Sequence, residues 1–203
     1  MRDRWASFWK SAGAAGDPEP AWRDLSARYG EPHRAYHTLR HIAQCLGEFD
    51  AVRTLARDPS VVELALWYHD AVYDPRKRDN EERSADLASA AAASMGFAPA
   101  RAQAAAALIR VSTHRKAAEE PDARLFADID LSILGQPAAL FDEYERQVRV
   151  EYGWVPEADF RAGRAAILKS FVERPFLYGT PAFREKYEAA ARRNLADSIR
   201  RLA

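Results

Sequence analysis

Two of the five histidines, His37 and His41, lie four residues apart in a stretch with helical periodicity. Side chains at this spacing share one face of a helix, so both imidazoles could reach a common point. Imidazole nitrogens bind divalent transition metals. Most helical pairs of this kind are not ligands, so the spacing indicates a metal site only if other segments supply further donors.

A second candidate is the dipeptide His69-Asp70, which ends the apolar run VVELALWYHD. A helix that is apolar on every side is predicted to lie inside the domain. An unpaired carboxylate there is disfavoured by roughly several kcal/mol, so Asp70 needs a partner. A metal ion, an arginine or a capped helix end could each provide it.

Asp128 and Asp130 pose the same problem in the apolar segment LFADIDLSIL. Helix capping could use one of these carboxylates, but using both in this way is less favourable. A cation close to this segment would explain the pair.

Helical periodicity dominates the whole sequence, and no segment alternates as a strand does, so we predict an all-α fold. Ser60 and Glu63 form a possible capping box, and Thr180 with Pro181 is a good helix start. We expect one domain over residues 1–203, with a core of about 22–152 and a helical extension of about 153–203. Helices are predicted near 21–29, from about 36, after 60, from 79 or 80, at 98–113, 121–135, 137–152, 157–173 and 181–201.

Composition narrows the function classes. Lys+Arg and Asp+Glu number 30 each, so the basic excess typical of a nucleic-acid binder is missing and no stable complex of that kind is expected. The single Cys45 excludes an internal disulfide and is interpreted as a buried, inert thiol.

The N-terminus has no secretory signal and no window approaches a membrane span, so we expect a cytoplasmic protein with no membrane partner. An apolar helix face could be buried within one chain or between two, which leaves a homodimer open.

The order His, His-Asp, Asp resembles the metal-binding signature of HD-domain phosphohydrolases. More narrowly, EPHRAYHTLRH, LWYHDAVYDP, DNEERSA and DIDLSILG resemble the predicted metal-dependent phosphohydrolases among small bacterial HD proteins. The resemblance continues through RVEYGWV, Gly163-Arg164 and ARRNL, so it covers nearly the whole chain. It implies an HD-domain, phosphodiesterase-like helical bundle.

The resemblance also implies roles for individual residues. His41, His69, Asp70 and Asp130 would be the metal ligands, and Asp128 would support a ligand or a metal-bound water. The Tyr36-His37 segment is similar to that of cyclic nucleotide phosphodiesterases, which implies that His37 donates a proton to the leaving oxygen. Two imidazoles and two carboxylates suit a divalent Mn, Fe, Co, Ni or Zn ion.

The implied activity is hydrolysis of a small phosphomonoester or phosphodiester, nucleotide-like in character, by a metal-activated water. Asp70 and Asp74 would help to place that water, although Tyr73 stands where stringent-response hydrolases carry a glutamate. His114 could contact phosphate or a second metal. Arginines near the resembling segments are the candidates for substrate contacts: Arg34, Arg40, Arg149 and Arg164.

Two other functions stay open at this point. Some HD-fold proteins hold two irons and oxidise their substrates with oxygen. His114 and Asp74 could supply the additional ligands that a second iron needs. The same pocket could also bind a nucleotide without hydrolysing it, as a sensor does.

Overall fold

The computed structural model describes residues 1–114 and 117–203, and every regular element within these ranges is helical. The predicted all-α class is confirmed, whereas the HD-type bundle stays a prediction. Two short 3-10 helices, Arg53–Leu55 and Leu131–Gly135, accompany the α-helices. The α-helices are α1 (Arg2–Ser11), α2 (Glu19–Tyr29), α3 (Leu39–Val52), α4 (Pro59–Tyr68), α5 (Asn80–Ser94), α6 (Pro99–Val111), α7 (Pro121–Asp130), α8 (Ala138–Glu151), α9 (Glu157–Val172) and α10 (Pro181–Leu202).

The chain forms two compact units, Met1–Phe126 and Ala127–Ala203. The single domain with a core of about 22–152 and an extension of about 153–203 stays a prediction. Among the described residues, no helix combines the length and the apolar character that crossing a bilayer would require.

Helix α4 is the central element of the first unit, as its apolar sequence predicts. It packs against α3, α5 and α6, and its residues from Val61 to Tyr68 are buried. The ring of Trp67 meets that of Trp5 edge-on, with 5.4 Å between centroids. Trp5 belongs to the buried face of α1, together with Phe8 and Trp9. Because α4 ends inside this packing, His69 is only 1% exposed.

Helix α3 begins three residues later than predicted. The Oγ1 atom of Thr38 accepts a hydrogen bond from the backbone N–H of Arg40, so Thr38 is the N-cap and Leu39 the first helical residue. His37 therefore precedes the helix that carries His41. The prediction that both imidazoles share one helical face is wrong.

The start of α4 also differs from the prediction. Asp58, and not Ser60, is the N-cap, and its carboxylate accepts hydrogen bonds from the backbone N–H groups of Ser60 and Val61. The same carboxylate pairs with Arg101 at 2.8 Å. Burial alone would raise the pKa of Asp58, but Arg101 and the two amides outweigh it and lower the pKa.

We expect Asp58→Ala to lower the free energy of unfolding by about 1–2 kcal/mol, because α4 loses its cap and Arg101 its partner. Ser60→Ala should change it by less than about 0.5 kcal/mol, since the Ser60 side chain is not the cap. The lowered pKa of Asp58 means that its contribution is present at neutral pH and is lost as the pH falls through that pKa. Urea unfolding at neutral and acidic pH measures both effects, and equal losses in the two variants would contradict the assigned cap.

The second unit is organised around α10, which packs against α9 and the 3-10 helix Leu131–Gly135. Thr180 is the N-cap of α10, as predicted, and its side chain accepts a hydrogen bond from the backbone N–H of Phe183. At Gly135 an added Cβ would lie 2.5 Å from the Cβ of Tyr187. The close approach of the 3-10 helix to α10 therefore requires glycine at this position.

Candidate metal centre

Three side chains of the first unit converge where α4 ends. The Nε2 atoms of His41 and His69 are 3.0 Å apart. The Oδ2 atom of Asp70 lies 3.1 Å from Nε2 of His69 and 3.5 Å from Nε2 of His41. Both imidazoles are buried, at 3% and 1% exposure. Three of the four predicted ligands are therefore brought together.

The spacing of these three atoms matches adjacent ligands of one ion. Nitrogen and oxygen ligands lie about 2.0–2.2 Å from Zn²⁺. Two ligands at that distance are about 3.0 Å apart at a right angle and about 3.4 Å apart at the tetrahedral angle, by simple geometry. The three sides of the triangle formed by His41, His69 and Asp70, at 3.0, 3.1 and 3.5 Å, lie close to these values, so these residues could hold a divalent metal ion.

The second nitrogen of His69 is fixed by the backbone. Its Nδ1 atom lies 3.0 Å from the carbonyl oxygen of Leu66, and since a carbonyl can only accept, Nδ1 carries a proton. In the neutral ring Nε2 then presents its lone pair toward His41 and Asp70. A backbone acceptor of this kind is how proteins orient an imidazole that binds metal.

Cys45 adds a donor that the sequence analysis did not assign. It lies one turn after His41 on α3, and its buried Sγ atom is 3.7 Å from both ring nitrogens of His41. The ligand atoms of His41, Cys45 and His69 all lie within 4.8 Å of one another, so this buried group could bind a metal ion. Burial of the thiol is confirmed. The four-residue spacing of His41 and Cys45 is the signal that could have identified it.

The electrostatic environment favours an ionised Asp70. Burial tends to raise the pKa of its carboxyl group, but without a metal the protonated forms of His69, His37 and His41 outweigh that effect through their charges and through a hydrogen bond from protonated His69. The pKa is therefore lowered. An ionised carboxylate beside two imidazoles is the donor combination that a divalent ion requires.

His37 lies beside this cluster although it precedes α3. Its ring stacks on that of Tyr73, with 4.1 Å between centroids and an interplanar angle of 24°. The His37 and His41 ring centroids are 6.1 Å apart. Tyr73 also accepts, through its backbone carbonyl, a 2.7 Å hydrogen bond from Nε2 of His33. The sequence analysis noted Tyr73 only as a departure from related hydrolases and missed its contact with the predicted proton donor.

Arg34, a predicted substrate contact, is enclosed by the protein. Its side chain is fully buried and pairs with Glu31 at 3.0 Å. Its guanidinium also donates hydrogen bonds to the carbonyls of His37, Asp70 and Ala71. Contact with substrate stays a prediction, but protein acceptors already engage at least four of its five N–H groups.

The other predicted residues of the first unit lie in loops or at helix ends. Asp74 accepts a 2.9 Å hydrogen bond from the backbone N–H of Arg76, and Asn80 binds its main chain, so Asp74 shapes the turn before α5. Arg40 is exposed in the first turn of α3. His114 has a positive φ of 50° just after α6. Their predicted roles with water and substrate stay predictions.

The remaining predicted residues belong to the second unit. Asp130 is the last residue of α7. Arg149 pairs with Glu157 and donates to the carbonyls of Tyr152 and Val155, while Arg164 pairs with Glu145. These contacts explain both arginines without a substrate, whose binding by them stays a prediction.

Asp128 has a contact that the sequence analysis did not foresee. Its two carboxylate oxygens accept hydrogen bonds from the backbone N–H groups of Gly179 and Thr180 and from the Thr180 hydroxyl, at 2.6–2.7 Å. These bonds anchor the start of α10. The predicted support of a ligand or a metal-bound water by Asp128 stays a prediction.

A cavity of about 810 Å³ lies elsewhere in the first unit, between α6 and the start of α7. Its described lining contains six alanines, the apolar residues Val61, Leu108 and Val111, and six charged side chains, but none of His41, His69 and Asp70. The cavity is therefore separate from the group of buried donor atoms at the end of α4.

Comparison of the chain with protein-family models, with curated protein sequences and with solved structures finds no significant match. The geometry of the residues and the resemblance of the sequence segments are therefore what indicate a function for this protein.

Proposed function

We propose that this protein is a metal-dependent phosphohydrolase of the HD superfamily that acts on a small, nucleotide-like phosphomonoester or phosphodiester. The observation that carries the proposal is the triangle of His41, His69 and Asp70, whose donor atoms have the spacing of ligands around one ion. The segments that supply these residues are those whose sequences resemble the HD-domain phosphohydrolases.

Asp130 would be the fourth ligand in this proposal. The segment Asp130-Leu131-Ser132 supports this role, because it resembles the segment that carries the last metal aspartate in cyclic nucleotide phosphodiesterases.

The donor set suggests the class of ion. Two imidazoles and carboxylate oxygens suit divalent Mn, Fe, Co, Ni or Zn, and the neighbouring thiol of Cys45 favours the softer members over Mg or Ca. When bound, such an ion lowers the pKa of a coordinated water and polarises a phosphoryl oxygen.

The remaining steps would fall to side chains of this protein. His37, held against Tyr73, would donate a proton to the departing alkoxide oxygen and so act as a general acid. The carboxylate of Asp70 would stay ionised and help to orient the attacking water. The bond from His69 to the Leu66 carbonyl would keep the His69 ring in one tautomer throughout.

We expect purified protein reloaded with Mn, Fe, Co, Ni or Zn to hydrolyse at least one compound in a panel of nucleoside monophosphates, cyclic nucleotides and aryl phosphates. A monoester would give free phosphate, and a cyclic nucleotide would give a nucleoside monophosphate. Protein stripped with a chelator should be inactive, and re-addition of metal should restore turnover. Product formation, followed by chromatography and phosphate release, and metal content are measured on the same samples. Turnover that persists in stripped protein, or none in metal-loaded protein across the panel, would contradict the proposal, and oxygen consumption by iron-loaded protein would favour the oxygenase.

A further inference from the structure

We propose that Arg34 is a positioning residue that aligns the proposed metal ligand Asp70 with the proposed proton donor His37. This inference rests on the proposed function. One guanidinium nitrogen, Nη1, donates to the carbonyl of Asp70 at 2.7 Å and to the carbonyl of His37 at 3.0 Å. The segment before α3 and the segment after α4 are therefore joined through a single side chain.

The contacts of Arg34 continue the pairing of backbone groups at the end of α4. The last carbonyls of a helix have no partner within it, and when buried they need donors from elsewhere. Leu66 accepts from His69 Nδ1, Trp67 from the Tyr29 hydroxyl and Tyr68 from the Ala71 N–H. Farther along, the carbonyls of Asp70 and Ala71 accept from Arg34.

The charge of Arg34 suits this position. A cation is stabilised near the C-terminal end of a helix, where the partial charge of the peptide dipoles is negative. The guanidinium also lies 5.2 Å from the ring centroid of Tyr29 and 5.5 Å from that of Tyr73. Since Tyr73 stacks on His37, Arg34 acts on the His37 segment through both a hydrogen bond and an aromatic contact.

A substrate-binding role would require different properties. A phosphate-binding arginine presents its N–H fork to the substrate, but the Arg34 side chain has no exposed surface and its donors are directed at protein acceptors. A substrate phosphate could reach the guanidinium only by displacing the carbonyls that fix Asp70 and His37. Positioning is therefore the role that these contacts support.

The test compares Arg34→Lys and Arg34→Met with Arg192→Met, using Co²⁺ as the metal probe. Arg192 matches the contacts of Arg34, since it also pairs with one glutamate and donates to three carbonyls, but it does so between α9 and α10 and its side chain is 35% exposed. Co²⁺ affinity is measured by chelator competition, the ligand field by the visible spectrum, and folding by thermal unfolding.

We expect Arg34→Met to weaken Co²⁺ affinity by about 10–100-fold and to alter the Co²⁺ spectrum at saturation, as loss of a ligand-orienting contact does. Arg34→Lys should fall between Arg34→Met and the wild type, because the ammonium keeps the charge but cannot span all the carbonyls. Turnover should fall mainly in kcat, and added guanidinium should partly restore it in Arg34→Met. Arg192→Met should lose thermal stability and keep wild-type Co²⁺ affinity and spectrum.

Wild-type affinity and spectrum in both Arg34 variants would overturn the inference, as would a rise in KM alone, which would identify a substrate contact. Equal losses of affinity in the Arg192 variant would also overturn it, because the effect would then be general destabilisation. If Arg34→Met does not fold, Arg34→Lys gives the same comparison. A wild-type protein that binds no Co²⁺ would instead refute the proposed function, and this inference with it, so the two failures are distinguishable.

Discussion

His69→Ala and Asp70→Ala should each lose the bound metal, and their phosphohydrolase activity should fall to background. Each substitution removes one corner of the triangle in which donor atoms lie 3.0–3.5 Å apart. A water molecule could replace the missing ligand, but it would supply neither the directed lone pair of His69 nor the negative charge of Asp70. Metal content after dialysis and phosphate release are the two measurements.

His33→Ala is the matched control for this experiment. His33 lies in the same segment as His37, but its Nε2 atom is directed at the Tyr73 carbonyl and not at the triangle. It should retain a wild-type metal content. Thermal unfolding of the metal-free proteins shows whether each variant is folded, because His69→Ala also leaves the Leu66 carbonyl without its donor. Stoichiometric metal and full turnover in both His69→Ala and Asp70→Ala would refute the proposed centre.

The periodic patterns predicted the helical elements well because each reflects burial of a continuous face. Helix α4 is buried from Val61 to Tyr68, as its apolar sequence predicted, and Thr180 caps α10 where it was expected. The same reasoning identified His69-Asp70 as a pair in need of partners. Burial and local capping are encoded within a few residues, so a single sequence is enough to predict them.

Local competition between capping residues explains the errors at helix starts. Thr38 caps α3 by accepting a hydrogen bond from the N–H of Arg40, although the apolar pattern continues back to Tyr36. At α4, Asp58 and Ser60 are both good capping residues, and the additional pairing of Asp58 with Arg101 favours Asp58. The partner is 43 positions away, which no local pattern reveals.

The contacts in the site that the sequence did not predict also join residues that are far apart along the chain. Arg34 meets the carbonyl of Asp70 across 36 positions, and its charge alone suggested a phosphate ligand. The contact of His37 with Tyr73 likewise forms only when two loops meet. Cys45 is different, because its four-residue spacing from His41 was visible in the sequence. It was interpreted as inert because a buried lone cysteine usually is.

Alanine substitutions of the two aspartates in the segment ADIDLS should have opposite effects on stability and on metal affinity. Asp128→Ala should lower the free energy of unfolding by about 2–4 kcal/mol, because it leaves two backbone N–H groups and the Thr180 hydroxyl without their acceptor in a buried place. Burial raises the pKa of Asp128 against the opposing effect of these bonds. Since the side chain is committed to α10, metal affinity in Asp128→Ala should stay within a few-fold of the wild type.

Asp130→Ala should show the reverse pattern. As the proposed fourth ligand it should weaken metal binding by more than about tenfold, while the metal-free protein loses less than about 1 kcal/mol of unfolding free energy. Urea unfolding of the metal-free proteins and chelator competition with Co²⁺ separate stability from binding. If metal affinity is lost in Asp128→Ala and kept in Asp130→Ala, the assignment is reversed, and the three hydrogen bonds of Asp128 would have to be exchanged for a metal–oxygen bond. The metal would then have to displace the anchor of α10, so breaking those hydrogen bonds would weaken its affinity, whereas binding at Asp130 carries no such cost.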